Sequence, residues 1–99
     1  MVFEKAELHV LAGHEADFEA AVQQAIPVFK GAPGCHGMEL QRVVEVPGKY
    51  FLVLQWETVE HHTVQFRNSP AFQEWRRLAG GHFASTPVVE HTSVVFRAF

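Results

Sequence analysis

Ninety-nine residues, 47% hydrophobic and 19% charged, describe one globular domain over residues 1–99, too apolar for a disordered chain and too short for two cores. Eight basic against eleven acidic side chains leave a net charge of −3, with no basic patch of the kind that grips nucleic acid. The single cysteine, Cys35, excludes an internal disulfide and suits a reducing compartment. No apolar run approaches the ~18 residues of a membrane helix, and acidic residues interrupt the N-terminus where a signal peptide would be apolar. The expected setting is the cytoplasm, with neither nucleic acid nor membrane as partner.

"VFEKAELHVL", Val2 to Leu11, alternates and reads as a first strand. "AGHEAD" breaks it, and from Asp17 the period changes. Phe18, Ala21, Val22, Ala25, Ile26 and Phe29 recur at steps of three and four, the stripe of a helix. Pro27 deletes one backbone bond there and is expected to kink or loosen the last turn. "GAPGCHG" ends the helix. "MELQRVVEV" is a second strand, with Met38, Leu40, Val44 and Val46 on one face. "PGK" is a turn and "YFLVLQWE" a third strand, completing a hairpin. Tyr50, Leu52, Leu54 and Trp56 share one side of it; Phe51 and Val53 share the other, so both sides need cover. "TVEHHTVQFRN" reads as a short helix. "SPAFQEWRRLAG" reads as another, with Ser69 as N-cap, Pro70 at its first position and Gly80-Gly81 as its stop. "TPVVEHTSVVFRAF" closes the chain as a fourth strand.

The order β-α-β-β-α-α-β is the ferredoxin-like split β-α-β of the α+β class. It predicts a four-stranded antiparallel sheet with the helices on one face. The other face would be bare yet carries apolar residues. A second copy of the chain is the expected cover, making a homodimer.

Seven histidines are the main chemical resource. His61 and His62 are neighbours, so they stand about 100° apart around a helix and cannot face the same way. Val59, His62, Thr63 and Phe66 form an inward stripe, and His61 points to solvent. His62 has two readings. It is either a core histidine satisfied by a backbone carbonyl, or a base or donor lining a pocket between helix and sheet. A neutral imidazole in such a pocket accepts a proton near neutral pH. His91 shares a strand face with Val89, Ser93 and Val95, and reaches the same pocket if that face meets the helices. Arg67 lies near the inward stripe, placed to hold an acidic or phenolate oxygen. Arg76 and Arg77 are the other cationic candidates, Arg77 most simply on a solvated face. Cys35 and His36 point to opposite faces of an extended chain, which leaves Cys35 a plain thiol. No HxxxH, HxH or HExxH spacing, cysteine cluster or glycine-rich phosphate loop occurs, so neither a metal nor a nucleotide cofactor is expected.

"GAPGCHGMEL", "VLQWETVEHHTVQFRNSPAFQEW" and the closing "PVVEH" together resemble the antibiotic biosynthesis monooxygenase family of the dimeric α/β-barrel superfamily. The resemblance covers nearly the whole chain. It implies a homodimer whose two sheets close into a barrel, with a pocket in each subunit between sheet and helices. As function it implies a monooxygenase without cofactor, which oxidises a small aromatic phenol or quinol with molecular oxygen and takes its electrons from the substrate. His62 would be base or orienting donor, supported by His91 and Arg67. Trp56 and Phe66 would be walls, with Phe18, Phe29, Phe72, Trp75 and Phe83 as further lining. A non-catalytic barrel that only holds a small molecule is the main alternative. Heme binding or degradation is a third. From that branch the sequence departs: Ala6 stands near its strand-one Asn, Trp75-Arg76 near its ligating His, and His82 lies beyond two glycines.

Overall fold

Alternation and helical stripes turn into elements at nearly the expected places in the computed structural model, which describes residues 1–99. In chain order they are β1 (Val2–His9), α1 (Glu15–Lys30), β2 (Cys35–Arg42), β3 (Lys49–Trp56), a π-helical turn (His61–Phe66), α2 (Pro70–Ala79), a 3₁₀ turn (Gly80–His82) and β4 (Val88–Thr92). The strands form one antiparallel sheet in the order β2-β3-β1-β4, the ferredoxin-like arrangement, with the helices on one face.

Period two sorts every strand. Glu4, Ala6, Leu8 and Val10 on the β1 side, and Tyr50, Leu52, Leu54 and Trp56 on β3, are buried under the helices. The stripe Phe18, Ala21, Val22, Ala25 and Phe29 of α1 packs onto them. Ile26 does not join it and stays 46% exposed, beside Met38 and Leu40 at the β2 edge. The far end of the core is pinned by polar groups. Tyr50 donates its hydroxyl to Glu19 Oε2 at 2.6 Å, and Arg42 Nη2 donates to the same oxygen at 2.7 Å.

Several boundaries differ from the sequence reading. Helix α1 starts earlier, at Glu15; it ends at Lys30, where the sequence placed its stop, and accommodates Pro27 because the carbonyl left unpaired by the proline sits on its exposed side. Strand β2 starts earlier, at Cys35, with a bulge at His36, and stops at Arg42. Val44 and Val46 therefore lie in the loop and are exposed. That loop closes on itself through Val46 N–H to the Val43 carbonyl and Lys49 N–H to the Val46 carbonyl. Strand β4 ends at Thr92, which pairs with Phe3. Beyond it β1 has almost no backbone left to pair, so residues 93–99 leave the sheet and expose Val95, Phe96 and Phe99. Ser69 occupies the N-cap of α2 but does not cap it with its side chain; its hydroxyl donates to the Phe66 carbonyl at 2.6 Å. No helix is long and apolar enough to cross a membrane.

Candidate active site

The site grows from one cross-strand pair. Register places Glu4 of β1 opposite His91 of β4, both on the helix-covered face. Trp56, the last residue of β3, lies beside them, and the π-helical turn lowers His62 onto all three. Arg67 N–H donates to the His62 carbonyl, five residues back, the bond that widens the turn. The His62 ring stacks on Trp56 with centroids 5.4 Å apart and planes at 19°. Phe66 packs against both rings.

A continuous polar chain results. Trp56 Nε1–H donates to Glu4 Oε1 at 2.9 Å. His62 Nε2 lies 3.2 Å from that same oxygen. His62 Nδ1 lies 2.8 Å from His91 Nε2. Glu4 and His62 are both buried, so each is disfavoured in its charged form. Burial pushes the Glu4 carboxyl up from 4.5 to about 7, against the opposing pull of the Trp56 hydrogen bond and the Arg67 charge. Burial pushes His62 down from 6.5 to about 4, helped by the positive field of Arg67 and by His91. His91 is lowered too, again mainly by burial and then by Arg67. Near neutral pH both the protonated and the ionised form of Glu4 are thus within reach. Two hydrogen-bond arrangements satisfy the chain. A protonated Glu4 donates to His62 Nε2, and His62 Nδ1–H donates to His91. An ionised Glu4 accepts from His62 Nε2–H, and His91 Nε2–H donates to His62 Nδ1.

Beside this chain lies a cavity of about 610 Å³ between sheet and helices, a volume ordinary for a small-molecule site. Phe29, Phe66, Phe72, Trp75 and Phe83 line it, together with His62 and Arg67. Two expected members stand behind the wall. Trp56 is fully buried behind Glu4, His62 and Phe66, and His91 stands behind Glu4 and His62. Phe18 belongs to the core, against Tyr50 and Phe83. Both ring nitrogens of His62 are occupied within the protein, by Glu4 and by His91. Glu4 uses only Oε1 in these contacts and is itself a lining residue, which leaves Oε2 for the cavity.

Glu4 is the residue that sequence reasoning missed. Its signal was present: Val2, Glu4, Ala6, Leu8 and Val10 share one face, and a carboxyl in that apolar stripe is a buried polar group in need of a partner. His61 points away, as the spacing predicted. Its Nδ1 meets the Thr58 hydroxyl at 2.7 Å, and its ring covers Gly34. His82 pairs with His14 through their Nδ1 atoms at 3.1 Å and does not line the cavity, whereas Ala6 does. Cys35 is half-buried, and burial raises its thiol, which favours the protonated form over the thiolate.

The comparisons agree with this architecture. Residues 1–78 match the model of the family described as antibiotic biosynthesis monooxygenase. The uncharacterized protein YczJ of Bacillus subtilis is 42% identical over 91 residues, covering 92% of this chain and 96% of that one. A crystal structure of a candidate antibiotic biosynthesis monooxygenase from Bordetella bronchiseptica superposes with a TM-score of 0.95 at 52% identity, covering 96% of this chain and 97% of that one. SnoaB, a cofactor-independent oxygenase from Streptomyces nogalater, shares the fold with a TM-score of 0.81 at 16% identity, over 98% of this chain and 95% of its own. The chain belongs to the antibiotic biosynthesis monooxygenase family.

Proposed function

We propose that the protein is a cofactor-independent monooxygenase that oxidises a small aromatic phenol or quinol with molecular oxygen, and that Glu4 is the group that takes the substrate proton. The observation that carries the reading is a buried carboxyl tuned to about 7, with one oxygen facing an aromatic cavity and the other held by Trp56 and His62. A base poised near the working pH is the most effective kind. His62 and His91 hold Glu4 in place and spread its proton along the chain. Arg67 supplies positive field for the phenolate that forms.

The chemistry balances without a further redox partner. The phenol gives its O–H proton to Glu4. The phenolate passes one electron to dioxygen, and the radical pair joins in a C–O bond at a ring carbon. Glu4 returns its proton to the peroxide. Loss of the ring C–H proton with cleavage of the O–O bond leaves a quinone carbonyl and releases water. One oxygen atom enters the product, the other becomes water, and the substrate supplies all the electrons. Apolar walls exclude bulk water while the radical pair exists.

The same reading includes a homodimer across the open sheet face, where Phe3, Phe51 and Val53 stand among polar neighbours, and a cytoplasmic setting in which the lone Cys35 stays reduced. Oxygen uptake with a panel of hydroquinones and anthrones is the test. Uptake that falls in Glu4→Gln supports the assignment. Saturable binding of these compounds with no uptake would replace it by the non-catalytic small-molecule-binding reading.

A further inference from the structure

Two arginines reach the cavity, and neither is paired. Arg67 follows the π-helical turn, and its charge is felt at Glu4, His62 and His91, which places it at the Glu4 end. Arg76 lies on α2, with its guanidinium 5.9 Å from the centroid of the Phe72 ring, along the aromatic wall. Phe72 in turn packs edge-on against Phe66, and Phe66 against His62, so Arg76 stands two aromatic rings along the wall from the Glu4 group. The arginines elsewhere that have carboxylate neighbours use them: Arg42 pairs with Glu19 and Arg77 with Glu74. Arg67 and Arg76 have no carboxylate within 4.0 Å, in a chain with a net charge of −3. The only acidic group lining the cavity is Glu4. With ten of eighteen lining residues hydrophobic, the space joins flat apolar walls to an excess of positive charge.

We infer that the natural ligand is an aromatic acid: a fused-ring phenol whose hydroxyl lies at the Glu4–Arg67 end and whose carboxylate is held by Arg76 at the other end. A planar carboxylate matches the guanidinium fork with two parallel hydrogen bonds, and the rings fill the space between Phe29, Phe66, Phe72 and Trp75. The positive field also favours ionisation of the hydroxyl. This assignment rests on the oxygenase reading for the orientation of the hydroxyl, but not for the recognition of the acid.

Calorimetric titration of the purified protein tests it. Three matched ligands serve: a hydroxynaphthoic acid carrying its hydroxyl and carboxyl on opposite rings, its methyl ester, and the parent naphthol. The acid should bind about tenfold more tightly than the ester at low salt, and this advantage should shrink as salt is raised. Arg76→Gln should abolish the preference, Arg76→Lys should keep part of it, and Arg77→Gln should leave it intact. Both arginines are exposed, so circular dichroism should show folded variants. Equal binding of acid and ester, or a preference that survives Arg76→Gln, would overturn the assignment. Oxygen uptake with the same ligands separates the two proposals. Acid preference without uptake keeps the ligand class and removes the oxygenase. Uptake without acid preference does the reverse.

Discussion

Glu4 and His62 are buried titratable groups 3.2 Å apart whose environments push them in opposite directions. Their effects on stability oppose each other as well. Glu4 rises from 4.5 to about 7, so the folded chain keeps a proton that the unfolded chain releases; its contribution weakens as pH climbs from about 4.5 to about 7. His62 falls from 6.5 to about 4, so the unfolded chain takes a proton that the folded one refuses; its contribution weakens as pH drops from about 6.5 to about 4. Where those windows overlap, from about pH 4.5 to about 6.5, the two slopes nearly cancel, each effect worth roughly 3 kcal/mol at most. Single substitutions should unmask them in urea titrations at stepped pH. Glu4→Gln should lose stability on acidification below about 6.5, and His62→Gln should gain it on acidification from about 7. A variant that tracks the wild-type profile at every pH would remove that group from the coupled pair. Glutamine at position 4 can still accept from Trp56 and donate to His62. Glu4→Gln should therefore be as stable as wild type or more so above pH 7, while oxygen-dependent turnover falls by about 10² to 10⁴.

At the scale of elements, the turn between β3 and α2 matters most, because it carries His62 inward and His61 outward. It is braced from outside. The His61 backbone N–H donates to the Thr58 hydroxyl at 3.2 Å, the His61 ring lies over Gly34, and the Gly34 carbonyl accepts from Glu57 N–H at 2.8 Å. Gly34 has a φ of 79°, a conformation that costs any L residue about 1 kcal/mol or more. A Cβ there would also run into the His61 ring. Gly34→Ala should accordingly cost about 1–3 kcal/mol in urea unfolding. Adding His61→Ala should recover the steric part and leave the backbone part. His61→Ala alone should change stability by less than about 1 kcal/mol and leave turnover within a few-fold, since its ring is outside the cavity. Full recovery in the double variant would show that backbone strain at Gly34 is negligible.

For the whole molecule, the sheet has one covered face and one open one. Lys5 and Glu90 face each other across β1 and β4 on the open side, and Val53 pairs with Lys5 from the other flank. This mixture of apolar side chains and opposite charges in register suits a surface that meets a second copy. Light scattering at micromolar concentration should report about twice 11.2 kDa. Val53→Arg, at the centre of that face, should shift the protein towards monomer. The exposed Val95 and Phe96 beyond β4 should lose hydrogen-exchange protection in the same variant if they pack on the partner. A wild-type chain that remains monomeric would remove the barrel.

Local period and punctuation already spell out much of the fold. Alternation in β1 and β3, the α1 stripe, Pro70 after Ser69, and the opposed directions of His61 and His62 follow from geometry within a few residues. The recurrence of strands and helices was enough for the α+β order, and the stretches from Gly31 to Leu40 and from Val53 to Trp75 carried the resemblance to the family. Tertiary structure decided what depends on residues far apart in the chain. Strand β4 ends where β1 runs out of partners, and Val44 and Val46 fall outside β2 because the loop bonds to itself. The site is the clearest case. Glu4, Trp56, His62 and His91 come from four separate segments, and only the register of β1 against β4 brings Glu4 and His91 side by side under His62. A carboxyl on an apolar stripe is legible in the sequence as an oddity. Its partner, its raised proton affinity and the cavity it faces are properties of packing, because burial and distance exist only once the chain has closed.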